Sequence, residues 1–194
     1  MRMLVTLLLL FAVPAHAAVS PKPGSFHHCS DKGSPPQAAN ALKNRSAPVP
    51  EPGVTTIAEI VALPITGRQI ATTQAQGVQV EGYLLQMRQE GKESCNCGQL
   101  ELHDFHLWIA DSPTAAKGER IVVEITPRWR AANKGWTRAV VQALANAKAK
   151  VRVTGWPFLD PNHQDQVGKT RATRWEVHPI TKLEAYDGGQ WREL

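Results

Sequence analysis

The stretch IVVEITPRWRAANKGWTRAVVQALANAKAKVRVTGW, residues 121–156, changes its hydrophobic period twice. Ile121, Val123 and Ile125 alternate with Val122, Glu124 and Thr126, the period of two that a strand requires. Pro127 has no N–H to give a ladder, so it ends that strand. From Trp136 to Lys150 the spacing becomes helical, with Trp136, Val140, Leu144 and Ala147 as one core-packing stripe. Val151, Val153, Gly155 and Trp156 then return to a strand.

Working outward, Val78 to Met87 alternates around Gly82, a mid-strand glycine of the kind that marks a bulge. Phe105, Leu107 and Ile109 alternate with Asp104, His106 and Trp108 in a second strand. After a polar loop from Asp160 to Thr173, a last strand runs through Trp175 and Val177 to Leu183. The order β-β-β-α-β-β predicts a mostly β domain with one helix, a five-stranded OB-fold barrel. Its expected extent is about 78–186 within a globular unit of residues 54–194, with Ile57 to Ala62 as a short helix over one end of the barrel.

Upstream the chain divides in two. MRMLVTLLLLFAVPAHA, residues 1–17, has Arg2, an apolar run from Leu4 to Val13 and the small-residue exit Ala15-His16-Ala17. That is a secretory signal pattern, too short to span a bilayer, and it predicts a periplasmic or secreted mature chain without membrane insertion. Residues 18–53 hold seven of the fourteen prolines and few large apolar side chains, so a disordered linker is expected there. At 194 residues and 42% hydrophobic, with no repeat and one long apolar run, the chain is neither fibrous nor a multi-span membrane protein.

Val122-Val-Glu124-Ile-Thr126-Pro127-Arg128, Gly135-Trp136-Thr137 and Val151-Arg-Val-Thr-Gly155-Trp156 carry a family resemblance. So do Asp160-Pro161-Asn162-His163 and Thr173-Arg-Trp175-Glu176-Val-His178-Pro179-Ile180. Over roughly Val78 to Ala185 the chain resembles a family of small secreted bacterial OB-fold proteins. The resemblance implies the fold and export, and it supplies no mechanism. The fold is more widely associated with single-stranded nucleic acid and oligosaccharides.

In such a barrel the second, third and fifth strands are neighbours. With their apolar residues inward, the outer face collects Asp104, His106 and Trp108, then Glu124 and Thr126, then Arg174, Glu176 and His178, with Arg128 just beyond. The bland reading is a solvated face of cross-strand charge pairs. The sharper one is a divalent metal ion on Asp104, His106, Glu124 and His178.

Charge supplies a second clue. Between Arg128 and Arg174 ten Lys or Arg stand against two Asp, whereas Glu81 to Glu124 has four against eight. Trp108, Thr126, Arg128, His163, Lys169, Arg171 and Arg174 are the expected contacts to an anionic ligand, with Trp108, Trp156 and Trp175 as stacking platforms if exposed, although strand parity places Trp175 in the core. Gly168-Lys169-Thr170 is no phosphate loop, because His163 stands where the motif needs glycine.

The cysteines leave alternatives open. A disulfide from Cys29 to Cys95 or Cys97 suits an exported chain, while Cys95, Cys97, His103 and His106 offer zinc-ligand types at unusual spacing. His27 and His28 beside Cys29 add further candidate ligands.

Three functions follow as expectations. The first is an exported binding module for an anionic polymer, with single-stranded nucleic acid as the leading ligand. The second is a metal-dependent hydrolase, nuclease- or phosphodiesterase-like, with His106, Glu124, Arg128, Glu176 and His178 as its catalytic set. The third is a structural envelope protein tethered by its tail.

Overall fold

A computed structural model describes residues 17–194. The expected signal sequence therefore lies, apart from Ala17, outside the described residues. Among those residues no helix is long and apolar enough to cross a membrane.

The alternating segments become β2 (Val78–Gln89), β3 (Phe105–Ala110), β4 (Ile121–Ile125), β5 (Lys150–Leu159) and β6 (Trp175–Asp187). They pair in the order β2-β3-β4-β6-β5, and β5 pairs back onto β2, which closes a five-stranded barrel. β4 and β6 run parallel; the other barrel pairs are antiparallel. A short β1 (Gly53–Thr55) adds parallel to β2, and β7 (Gln190–Glu193) folds back on β6. Val80, Leu84, Leu107, Ile109, Ile121, Val123, Val153, Val177 and Leu183 point into the core, as the period-two reading places them. Trp175 is core as well and offers no stacking face.

Helical segments close the ends. In α2 (Ile57–Val61) Thr56 and Glu59 form a capping box, and Ile57 and Ile60 enter the core. α3 (Gln69–Ala75) leads into β2.

Between β4 and β5 the chain makes two helices, where one was expected. Pro127 ends β4 and also opens α4 (Pro127–Ala132), with the Thr126 hydroxyl accepting the Trp129 N–H. α5 (Arg138–Asn146) starts after Trp136 with Thr137 as its cap. Its buried positions are therefore Val141 and Ala145, a stripe rotated from the Val140–Ala147 expectation.

The bulge is also displaced. Register shifts between Leu84 and Gln86, while Gly82 stays in ladder opposite Val151. A Cβ at Gly82 would stand 3.0 Å from both Ala110 O and Ile57 Cδ1, so this glycine admits α2 against the barrel.

The largest departure is residues 18–53. The expected disordered linker is packed across the barrel's outer face as a strap containing α1 (Ala38–Lys43). Cys29 is bonded to Cys97, and its residue is 1% exposed. Besides a few apolar contacts, such as Ala18 on the core and Val49 against Gly77, the strap is held by side chains bonding to distant backbone. Asn44 Nδ2 donates to Cys95 O at 2.8 Å, and Arg128 Nη2 donates to Cys29 O at 2.8 Å. Trp129 Nε1 donates to Arg45 O at 2.9 Å, and Trp156 Nε1 to Ala47 O at 3.0 Å. Composition predicts disorder when apolar burial is the only source of order; here hydrogen bonds and a covalent link replace it.

Candidate functional site

Parity sends Asp104, His106, Glu124, Glu176 and His178 to the outer face, and the structure brings them together there. The face is not solvated, however. The strap and the loop after β2 cover it, leaving Asp104 and His178 at 0% and Glu124 at 1% exposure.

Glu124 lies at the middle. His106 Nε2 is 2.5 Å from its Oε1, and His178 Nδ1 is 3.1 Å from its Oε2. His178 Nε2 faces Asp104 Oδ2 at 3.4 Å, and Asn96 Nδ2 donates to Asp104 Oδ1 at 3.0 Å. His106 Nδ1 lies 3.3 Å from Glu90, which Arg88 pairs at the surface. On the other side His178 faces Glu176 at 3.7 Å. Arg171 then bridges Glu176 at 2.6 Å and Asp160 at 3.3 Å, and Asp160 pairs with the half-exposed His163.

The charges shape one another. Burial opposes ionisation of Glu124, yet His106 and His178 hold its carboxyl well below the usual range. Burial also opposes an imidazolium at His106, but Glu124 raises its pKa to about 9. His178 is likewise driven upward against burial, chiefly by Glu124. Asp104 is held low by His178 despite desolvation, whereas burial and Glu124 push Glu176 up. From the strap, Lys43 pairs with Glu93 at 2.8 Å. Burial works against the Lys43 ammonium, but Glu124 and Glu93 hold its pKa well above the ordinary value. Burial and Asp104 push Glu93 up to about 8.

One ligand atom each from Asp104, Glu124 and His178 lies within 4.8 Å of the others. Asp104 Oδ2, Glu124 Oε2 and both ring nitrogens of His178 have no hydrogen-bond partner outside this trio. Two carboxylates and an imidazole that are buried and close, with the facing atoms turned toward one another, fit a divalent transition metal. His106, expected as a fourth ligand, sits behind Glu124 and is placed to orient it.

Other expected residues have different partners. Arg128 is a latch, bonded to Gly24 O at 2.6 Å and paired with Asp31 at 3.0 Å, and it is not aimed at the cluster. Glu176 is occupied by Arg171 rather than free as a base. Of the expected anion contacts, Trp108, Thr126, Arg128 and Arg171 are buried; His163, Lys169 and Arg174 stay at the surface of one loop. Trp156 is half-buried, with its Nε1 bonded to Ala47 O and Arg45 of the strap over its ring. Cys97 is in the disulfide and His103 Nδ1 contacts Leu100 O, so the Cys95–Cys97–His103–His106 zinc set is not assembled. Burial pushes the free Cys95 thiol upward. Sequence reasoning missed Lys43 and Glu93, because it gave the strap no place over this face.

No family model matches the chain, and no curated protein matches it. Among solved structures it is similar to an OBody bound to hen egg-white lysozyme, at 13% identity and TM-score 0.36, over 75% of this chain and 96% of that one. It is also similar to the aspartyl-tRNA synthetase of Entamoeba histolytica, at 11% identity and TM-score 0.40, over 94% of this chain. The chain spans 29% of that synthetase's length. Likenesses this distant carry no argument about function.

Proposed function

We propose that this chain is an exported OB-fold protein whose functional centre is a divalent-metal site built from Asp104, Glu124 and His178. One observation carries the reading: three donors from three strands or strand ends converge within 4.8 Å, and both ring nitrogens of His178 face only carboxylates, at 3.1 Å from Glu124 and 3.4 Å from Asp104. The closed strand order, with parallel β4 and β6, supports the OB-fold. The imidazole favours zinc, manganese or cobalt over calcium. A metal must displace the proton that the two carboxylates hold on His178, so binding is coupled to proton release.

The test is calorimetric titration of chelator-treated mature protein with Zn²⁺ or Mn²⁺ in buffers of different ionisation enthalpy. One ion per chain, about one proton released and a higher unfolding temperature are expected. Asp104→Asn should weaken binding at least tenfold. Absence of a stoichiometric ion, or full affinity in Asp104→Asn, would overturn the centre. Hydrolysis at this centre requires the strap to move, because its three ligands present almost no surface to a substrate.

A second reading, association with single-stranded nucleic acid, is favoured by the loop that keeps His163, Lys169 and Arg174 at the surface. It predicts that log affinity falls steeply with log salt concentration. Lys169→Glu should weaken oligonucleotide binding severalfold, and binding indifferent to salt would remove this reading.

A further inference from the structure

Between the strap and the α4–α5 corner lies a groove of about 360 Å³, within the size range of small-ligand sites. Arg130, Lys134 and Arg138 line it against one carboxylate, Glu101. None of these three cations lies within 4.0 Å of a carboxylate among the described residues.

Arg130 is the informative one. Its guanidinium is over the Phe105 ring, 3.9 Å from the centroid, and Nη1 donates to His103 O at 2.7 Å and Ile125 O at 3.3 Å. Burial lowers its pKa to about 10, with Asp104 pulling the other way. Carbonyls and a ring replace part of its hydration, but they supply no counter-anion. Arg128, two residues earlier on the same helix, is buried with its counter-ion Asp31 in place. The first turn of the nine-residue α5 also opens on the groove at Thr137 and Arg138, which adds a field favouring negative charge.

The formal charge of the lining, three cations less Glu101, is +2 with His27 neutral. A phosphate monoester above its second pKa of about 6 carries close to the opposite charge. The half-buried Phe26 adds an apolar wall for whatever the phosphate is attached to.

We propose that this groove binds the phosphate monoester group of an organic phosphate, with Arg130, Lys134 and Arg138 as its clamp. The site is separate from the buried metal centre and from the Lys169 loop. Two sources share this chemistry, a free nucleotide and the phosphorylated end of a nucleic-acid strand.

The experiment uses the full mature chain with its disulfide intact and a chelator present, so that no metal bridges phosphate to the Asp104 centre. Adenosine monophosphate, adenosine, and one oligonucleotide with and without a 5′-phosphate are titrated in parallel. Saturable binding of the monophosphate is expected, with adenosine at least tenfold weaker. A phosphorylated oligonucleotide that binds tenfold better than its unphosphorylated twin extends the site to strand ends; equal binding of the twins confines it to free nucleotides. Lys134→Glu/Arg138→Glu changes exposed side chains and should cost tenfold or more, while Lys117→Glu, at an exposed position outside the groove, should leave the monophosphate affinity within twofold. Equal binding of adenosine and its monophosphate, no saturable binding, or full affinity in the double variant would each overturn the proposal.

Discussion

Glu124 is the residue on which the buried charges converge, and its two oxygens face two different imidazoles at 2.5 and 3.1 Å. That pairing makes the metal-free protein sensitive to alkali. The folded pKa of His106, about 9, lies above the ordinary value of 6.5. A group raised on folding stabilises fully below its unfolded pKa and loses that contribution as pH rises through the folded one. Between pH 6.5 and about 9 the unfolding free energy should therefore fall, by roughly 3 kcal/mol for this group at most. Urea unfolding of chelator-treated protein across pH 6–10 checks the slope, and an imidazole NMR titration assigns it to His106. In Glu124→Gln the His106 pKa should move back toward 6.5; an unmoved titration would mean that Glu124 is not its partner. At this scale the sequence was legible. Alternation alone put Asp104, His106, Glu124 and His178 on one face, because strand parity is a covalent property of the backbone. It left unread what lay above them, since parity says which side a residue takes and nothing of whether water reaches that side.

The elements show the same division between what is local and what is not. β5 changes register on both sides of Gly155, and there β6 comes close enough that a Cβ would sit 2.5 Å from Pro179 O and 2.6 Å from Val177 Cγ1. Backbone cannot yield as a flexible side chain can, so Gly155→Ala should destabilise the barrel by about 1–3 kcal/mol. Gly82→Ala meets the far end of Ile57 as well as Ala110 O at 3.0 Å, and should cost less. Thermal melts of the two variants decide it; an unchanged midpoint for Gly155→Ala would mean that β6 has room to shift. Sequence spacing marks Gly82 as special without saying which neighbour it admits, and it gives Gly155 only as one residue of a strand. The same limit hid α4. Thr126-Pro127 is a strand stop and equally a helix cap followed by its first residue, and only the tertiary burial of Trp129 decides for the helix.

For the whole molecule, the strap makes the barrel face a closed interior rather than a binding groove. Its order comes from partners far away in sequence: the Cys29–Cys97 link has a separation of 68 residues, and Asn133 exchanges hydrogen bonds with Val19 at 2.7 and 2.9 Å. No composition rule sees such contacts, which is why a proline-rich segment that reads as a linker serves as a cover. By loop entropy in the unfolded chain the disulfide contributes on the order of 4 kcal/mol, and it is the strap's covalent anchor. Reduction should therefore loosen residues 18–50 while the barrel, closed by its own ladders, keeps its β-structure. Hydrogen exchange in the strap should speed up at least tenfold on reduction, with β3 and β4 little changed. If an ion occupies the Asp104–Glu124–His178 centre, its removal by a chelator should quicken in parallel, because the strap is what separates those ligands from solvent. The Cys29→Ser variant should reproduce the effect without a reductant. Exchange that stays slow in both would assign the closure to the polar latches at Asn44, Arg128 and Trp129, and the covalent link would then be redundant to it.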